Sequence, residues 1–123
     1  LVNRSQETVT NELGAFAMTL DTGLYDVHVK VSAETGFAWF VEPELLLGAD
    51  DGERTRGYLL EPPIPLQGLV RTSDGASVAN AVVRAHILRY GEDGTTRSIQ
   101  VAETVSGKDG TYRLLIAPRL GAE

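Results

Sequence analysis

The chain has 123 residues, 42% of them hydrophobic and 23% charged, with a formal net charge of -6 and no cysteine. That balance is globular rather than disordered, and its acidic sign argues against nucleic acid, whose recognition needs a basic face to displace counterions. No apolar run approaches the ~18 residues of a membrane helix, and neither disulfides nor thiolate metal sites can hold the fold.

Period-two alternation and glycine-rich turns organise the chain, and an i, i+3, i+4 apolar stripe is not sustained. Nine strands are expected, at about 5–10, 14–20, 24–32, 37–47, 55–61, 66–71, 80–89, 98–106 and 111–117. Phe16, Met18 and Leu20 form one apolar row, and Tyr25, Val27, Val29 and Val31 form another that should face it across a core. Asp26, His28, Lys30 and Ser32 then take the wet phase. Leu13-Gly14, Asp21-Thr22-Gly23, Asp51-Gly52, Asp74-Gly75, Asp93-Gly94 and Asp109-Gly110 mark turns, since glycine accepts positive φ. The reading is an all-β, antiparallel β-sandwich.

Thr8–Leu20 aligns without a gap on Thr104–Ile116. Both read as a β-branched pair, a hydroxyl, a turn ending in glycine, an aromatic, then alternating apolar residues. The same strand–turn–strand unit is written twice. The proline-rich run Glu61-Pro62-Pro63-Ile64-Pro65 is the natural boundary. Residues 1–64 are accordingly read as the C-terminal part of one repeat and 65–123 as the N-terminal part of the next. The first copy is expected to lack its opening strands and the second its closing ones, with any targeting signal outside the sequence. A single compact permuted sandwich is the favoured outcome, with sheet contact between residues 66–89 and 14–47.

After the boundary come Gly68, Val70, Gly75, Val78, Ala81 and Val83, in an order that resembles the opening of carboxypeptidase regulatory-like domains. Ser77 replaces the usual proline and Asn80 the usual glycine, a mild change because asparagine tolerates the left-handed region. Thr104-Val105-Ser106 with Asp109-Gly110-Thr111-Tyr112, and Gly23-Leu24-Tyr25-Asp26-Val27-His28-Val29, are similar to later motifs of that family. The resemblance implies an immunoglobulin-like, prealbumin-like sandwich without catalytic function, repeated in secreted and surface proteins of bacteria.

Candidate chemistry is sparse. His28 and His86 are the only histidines and both occupy the polar phase of their strands, so no metal site is assigned. Glu42, Glu44, Asp50, Asp51 and Glu53 are acidic enough for calcium but lack EF-hand spacing, and a solvated turn is preferred. A Lys–Asn isopeptide crosslink is rejected, since Lys30 is out of phase with the valine row and Lys108 falls in a turn. The triplet Asn3-Arg4-Ser5 fits N-glycosylation by chance as readily as by design. Phe37, Trp39 and Phe40 are the one aromatic cluster. They would form a ligand platform if Trp39 lay exposed, and a core element if buried, the latter being preferred.

No catalytic residue and no cofactor is therefore assigned. The leading expectation is a non-catalytic spacer module of a repetitive bacterial cell-surface or secreted protein, with adjacent repeats as its partners. The alternatives are a carbohydrate- or protein-binding module using the Trp39 region, and an accessory domain of a peptidase.

Overall fold

The computed structural model describes residues 5–48, 55–91 and 93–120. The fold is all-β with antiparallel pairing: β1 (Gly23–Val29), β2 (Phe40–Leu47), β3 (Ile64–Leu69), β4 (Val82–Tyr90), β5 (Thr96–Val105) and β6 (Thr111–Ile116). A 3₁₀ turn, Ala33–Thr35, lies between β1 and β2. Three ladders form among the described residues, β1 with β2, β4 with β5 and β3 with β6. The last joins segments about fifty residues apart in sequence.

Six of the nine expected strands are present. The segments 5–10, 14–20 and 55–61 carry no ladder, and residues 5–19 lie exposed. Their alternation is a real pattern, but a strand exists only where a partner edge accepts its hydrogen bonds. Phe16 and Met18 remain 42% and 37% accessible, so the expected apposition of two buried rows is not made.

The wet and dry faces of β1 also differ from expectation. His28 pairs with Val41 in the ladder, so their side chains share a face. Val41 is among the most buried residues and packs with Ile99 and Val101 of β5, joined by Ala85, Ile87 and Leu120. The supposedly polar phase of β1 therefore faces β5. Tyr25, Val27 and Val29 lie on the opposite side and are half-buried, as is Val31 beyond the strand. There Phe40, the ladder partner of Val29, meets Tyr58 at 5.1 Å, and Tyr58 stacks on Phe16 at 6.3 Å. Alternation tells which residues share a face, but not which face receives the neighbouring sheet.

No ladder joins residues 14–47 to 66–89 among the described residues. The two halves meet through side chains instead, in the Val41–Ile99–Val101 core and in ion pairs across β1, β2, β4 and β5.

One turn design recurs along the chain. At residues 11–15, 72–76, 91–95 and 107–111 the first N–H donates to the fifth carbonyl, at 2.7–2.9 Å. In each, the glycine in fourth place donates back to the first carbonyl, at 2.9–3.1 Å. This is the three-residue hairpin loop that ends in a left-handed residue. The glycines concerned, Gly14, Gly75, Gly94 and Gly110, have φ of 80°, 93°, 82° and 81°. Thr8–Leu20 and Thr104–Ile116 thus share their turn hydrogen bond for hydrogen bond, in the register of the sequence alignment.

Candidate functional site

The expected aromatic cluster is divided between two sides of the β1–β2 sheet. Phe40 belongs to the Tyr58 side. Trp39 is buried, 9% accessible, and lines a void of about 20 Å³ together with Val31, Phe37, Ala102 and Leu115. Phe37 stays 40% exposed at its margin. Trp39 thus spans from β2 to β5 and β6.

Two residues of the expected wet phase meet Trp39, the half-buried His28 and Lys30, which is exposed as expected. The Lys30 ammonium sits 5.0 Å from the ring centroid and the His28 ring meets it edge-on at 6.4 Å. Such a cation–π contact contributes on the order of 0.5–1 kcal/mol at an exposed site. His28 Nε2 lies 2.8 Å from the Gln100 carbonyl oxygen, which can only accept, so this nitrogen carries a proton. His86 sits in the exposed row of β4, opposite Gln100 in the β4–β5 ladder.

The same seam continues into an ion network at a bulge. The β1–β2 register shifts between Tyr25 and Val27, and Glu44, within the irregular stretch of β2, adopts φ 60°. That left-handed conformation costs a non-glycine residue about 1 kcal/mol. The Asp26 carboxylate accepts the Glu44 N–H at 3.1 Å and both terminal nitrogens of Arg97, one of them at 2.8 Å. Arg97 and Arg89 reach Glu44 at 3.6 and 3.8 Å. The Arg97 hydrogen bond, aided by the Glu44 amide, holds Asp26 below its ordinary pKa of 3.8 against the opposing effect of burial. Glu42 is taken by Arg56 and by the Tyr58 hydroxyl at 2.9 Å. Glu42 and Glu44, the described members of the proposed acidic loop, are thus both paired with cations, while Asp50, Asp51 and Glu53 lie outside the described residues. No group of three metal-ligating side chains occurs among the described residues.

Ser106, which sequence reading placed only as one member of a hydroxyl pattern, is a buried polar anchor. Its hydroxyl donates to the Val78 carbonyl at 2.7 Å and accepts the Ala81 N–H at 2.9 Å, and its backbone bonds Asn80 and Ala81. Asn80 sits at φ 61°, in the left-handed region that asparagine tolerates.

An open cleft of about 620 Å³ runs along β3, β6 and the end of β5, lined by Gln67, Leu69, Thr104, Val105, Tyr112 and Arg113 among others. It offers hydroxyls, an amide and one guanidinium over apolar surface. Such a set can hydrogen-bond a peptide or polar ligand, and it brings no acid–base pair together. Compared with known proteins, the chain matches no family model, no curated protein and no solved structure.

Proposed function

We propose that this chain is a non-catalytic structural module, a β-sandwich spacer of a repetitive bacterial protein that is secreted or held at the cell surface. The observation that carries the reading is the internal repeat in the sequence, Thr8–Leu20 on Thr104–Ile116, with which the turns at Gly14 and Gly110 agree. The packing of β2 on β5 supports a two-layer sandwich, and Asn80 in the left-handed region supports the resemblance to carboxypeptidase regulatory-like domains. Burial of Trp39 beneath Lys30 favours the spacer over a glycan platform. Spacers need ordered, protease-resistant strands rather than a reactive cleft.

The parent polypeptide provides the test. Continuation soon after Glu123 into an aromatic–x–apolar–x–apolar strand, the counterpart of Tyr25–Val29, is expected. Continuation into a helix would overturn the repeat reading.

A further inference from the structure

The cleft along β3, β6 and the end of β5 holds hydrogen-bond donors that the fold leaves unused. Arg113 stands opposite Gln67 in the β3–β6 ladder, so the guanidinium and the side-chain amide lie side by side on one face of the sheet. Thr104 brings a hydroxyl to the same cleft. None of these three side chains has a hydrogen-bond or ion-pair partner among the described residues. Arg56, Arg84, Arg89, Arg97 and Arg119, by contrast, are all paired with carboxylates. Among the described arginines only Arg71 and Arg113 go without, and Arg113 is the one that lines this cleft.

Two carboxylates on the adjoining elements are engaged elsewhere. Glu103 lines the small void under Trp39 together with Arg113, yet it accepts Arg84 at 2.6 Å. Asp109, in the turn before β6, accepts the N–H and the hydroxyl of Thr111. The Arg113 guanidinium therefore keeps its donors for a group from outside. Leu69 and Val105, both half-exposed, give the cleft aliphatic walls. Its aromatic residue, Tyr112, is already packed on Gly68, where a Cβ would lie 2.5–2.7 Å from the hydroxyl and ring. Donors for an anion beside aliphatic walls match a peptide more closely than a sugar, which calls for a free aromatic face.

We propose that this cleft binds a peptide segment carrying an acidic side chain between apolar ones. The carboxylate accepts two N–H bonds from Arg113 and one from the Gln67 amide, the bidentate geometry for which a guanidinium is shaped. The flanking apolar side chains rest on Leu69 and Val105, and the Thr104 hydroxyl is left for a peptide carbonyl. Because the donors are unpaired in the free protein, binding breaks no internal bond. The net charge of -6 slows the approach of an acidic peptide, so the local pairing rather than long-range steering supplies the affinity. This binding role goes beyond the structural one above.

The test uses the full chain, isotopically labelled, and a capped pentapeptide of glycine, leucine, aspartate, leucine and glycine, followed by chemical shifts. On adding millimolar peptide, the Gln67 side-chain amide and the backbone amides of Leu69, Thr104, Val105 and Arg113 should move. A twin peptide with asparagine in place of aspartate should bind about tenfold more weakly, the scale of a lost charge-assisted hydrogen bond. Arg113→Gln should lose a similar factor and keep the wild-type spectrum elsewhere, since Arg113 is exposed and unpaired. Arg71→Gln, which removes the same charge outside the cleft, should bind like wild type. Four results would each overturn the site: unmoved shifts, equal binding of the asparagine twin, unchanged binding by Arg113→Gln, or an equal loss in Arg71→Gln. Sodium glucuronate moving the same resonances at lower concentration than the peptide would overturn the peptide and assign the cleft to a sugar acid. The repeat reading is decided separately, by the parent sequence.

Discussion

Replacing Gly110 by alanine should cost far more than the same change at glycines of identical conformation. Gly94 and Gly110 share φ near 80°, so alanine at either bears the left-handed penalty of about 1–2 kcal/mol. A Cβ at Gly94 meets nothing within 4 Å, whereas one at Gly110 would lie 2.5 Å from the Val70 carbonyl oxygen. That oxygen is backbone and cannot rotate away. It is held by the Val78 N–H at 3.0 Å, and Val70 N–H in turn bonds the Gly110 carbonyl at 2.7 Å. Relieving the overlap means separating the turn from Val70 and weakening that bond, a further ~1–2 kcal/mol. Gly110→Ala should therefore lose about 2–4 kcal/mol, against about 1–2 for Gly94→Ala. Gly14→Ala should lose under about 1 kcal/mol, since no ladder depends on its turn. Urea denaturation at constant m-value reads these differences as shifts in midpoint. Equal midpoints for the Gly94 and Gly110 variants would refute the close-approach argument.

Ser106→Ala should destabilise by about 1–3 kcal/mol, because the Val78 carbonyl and Ala81 N–H lose a buried partner, and hydrogen exchange at Ala81 should accelerate. Asp26, with its pKa lowered in the fold, contributes stability that is complete above its unfolded value of 3.8 and lost as pH falls through the folded value. Asp26→Asn should therefore lower the thermal midpoint at pH 7 and narrow its gap from wild type as the pH falls below 3.8. A constant gap across that range would contradict the Arg97 pairing. Trp39 should fluoresce at short wavelength and resist iodide quenching, and Trp39→Ala should cost about 3–5 kcal/mol as a core truncation. Ready quenching would mean that Lys30 does not cover the ring.

What was legible in the sequence was local. The turns at Gly75, Gly94 and Gly110 and the four strands β3–β6 beside them follow from Asp-Gly dipeptides and period-two alternation, all encoded within a few residues. What was not legible was relational. Nothing in Phe16-Ala17-Met18 tells whether a partner edge is present, and nothing in Asp26, His28 and Lys30 tells that Arg97, Gln100 and Trp39 will meet them. Those polar residues read as a solvated face because alone they would be one. The hydrogen bond to Gln100 and the Arg97 pair are what let His28 and Asp26 be half-buried, while Lys30 stays exposed. Phe37, Trp39 and Phe40 were legible as a group in sequence, yet neighbouring residues of an extended chain point to opposite sides, which separates Phe40 from Trp39.

The β3–β6 ladder also has a kinetic meaning. The β1–β2 and β4–β5 pairs connect neighbouring strands and can zip up from their turns within microseconds. Pairing β3 with β6 must close a loop of about forty residues, shortened once the enclosed β4–β5 hairpin has formed. It should thus act as the clasp, fastened after the hairpins have formed. Gly68, Tyr112 and Gly110 all sit at that clasp, so damage there should leave hairpin formation intact and hinder the final closure, the stage at which open strand edges invite misassembly.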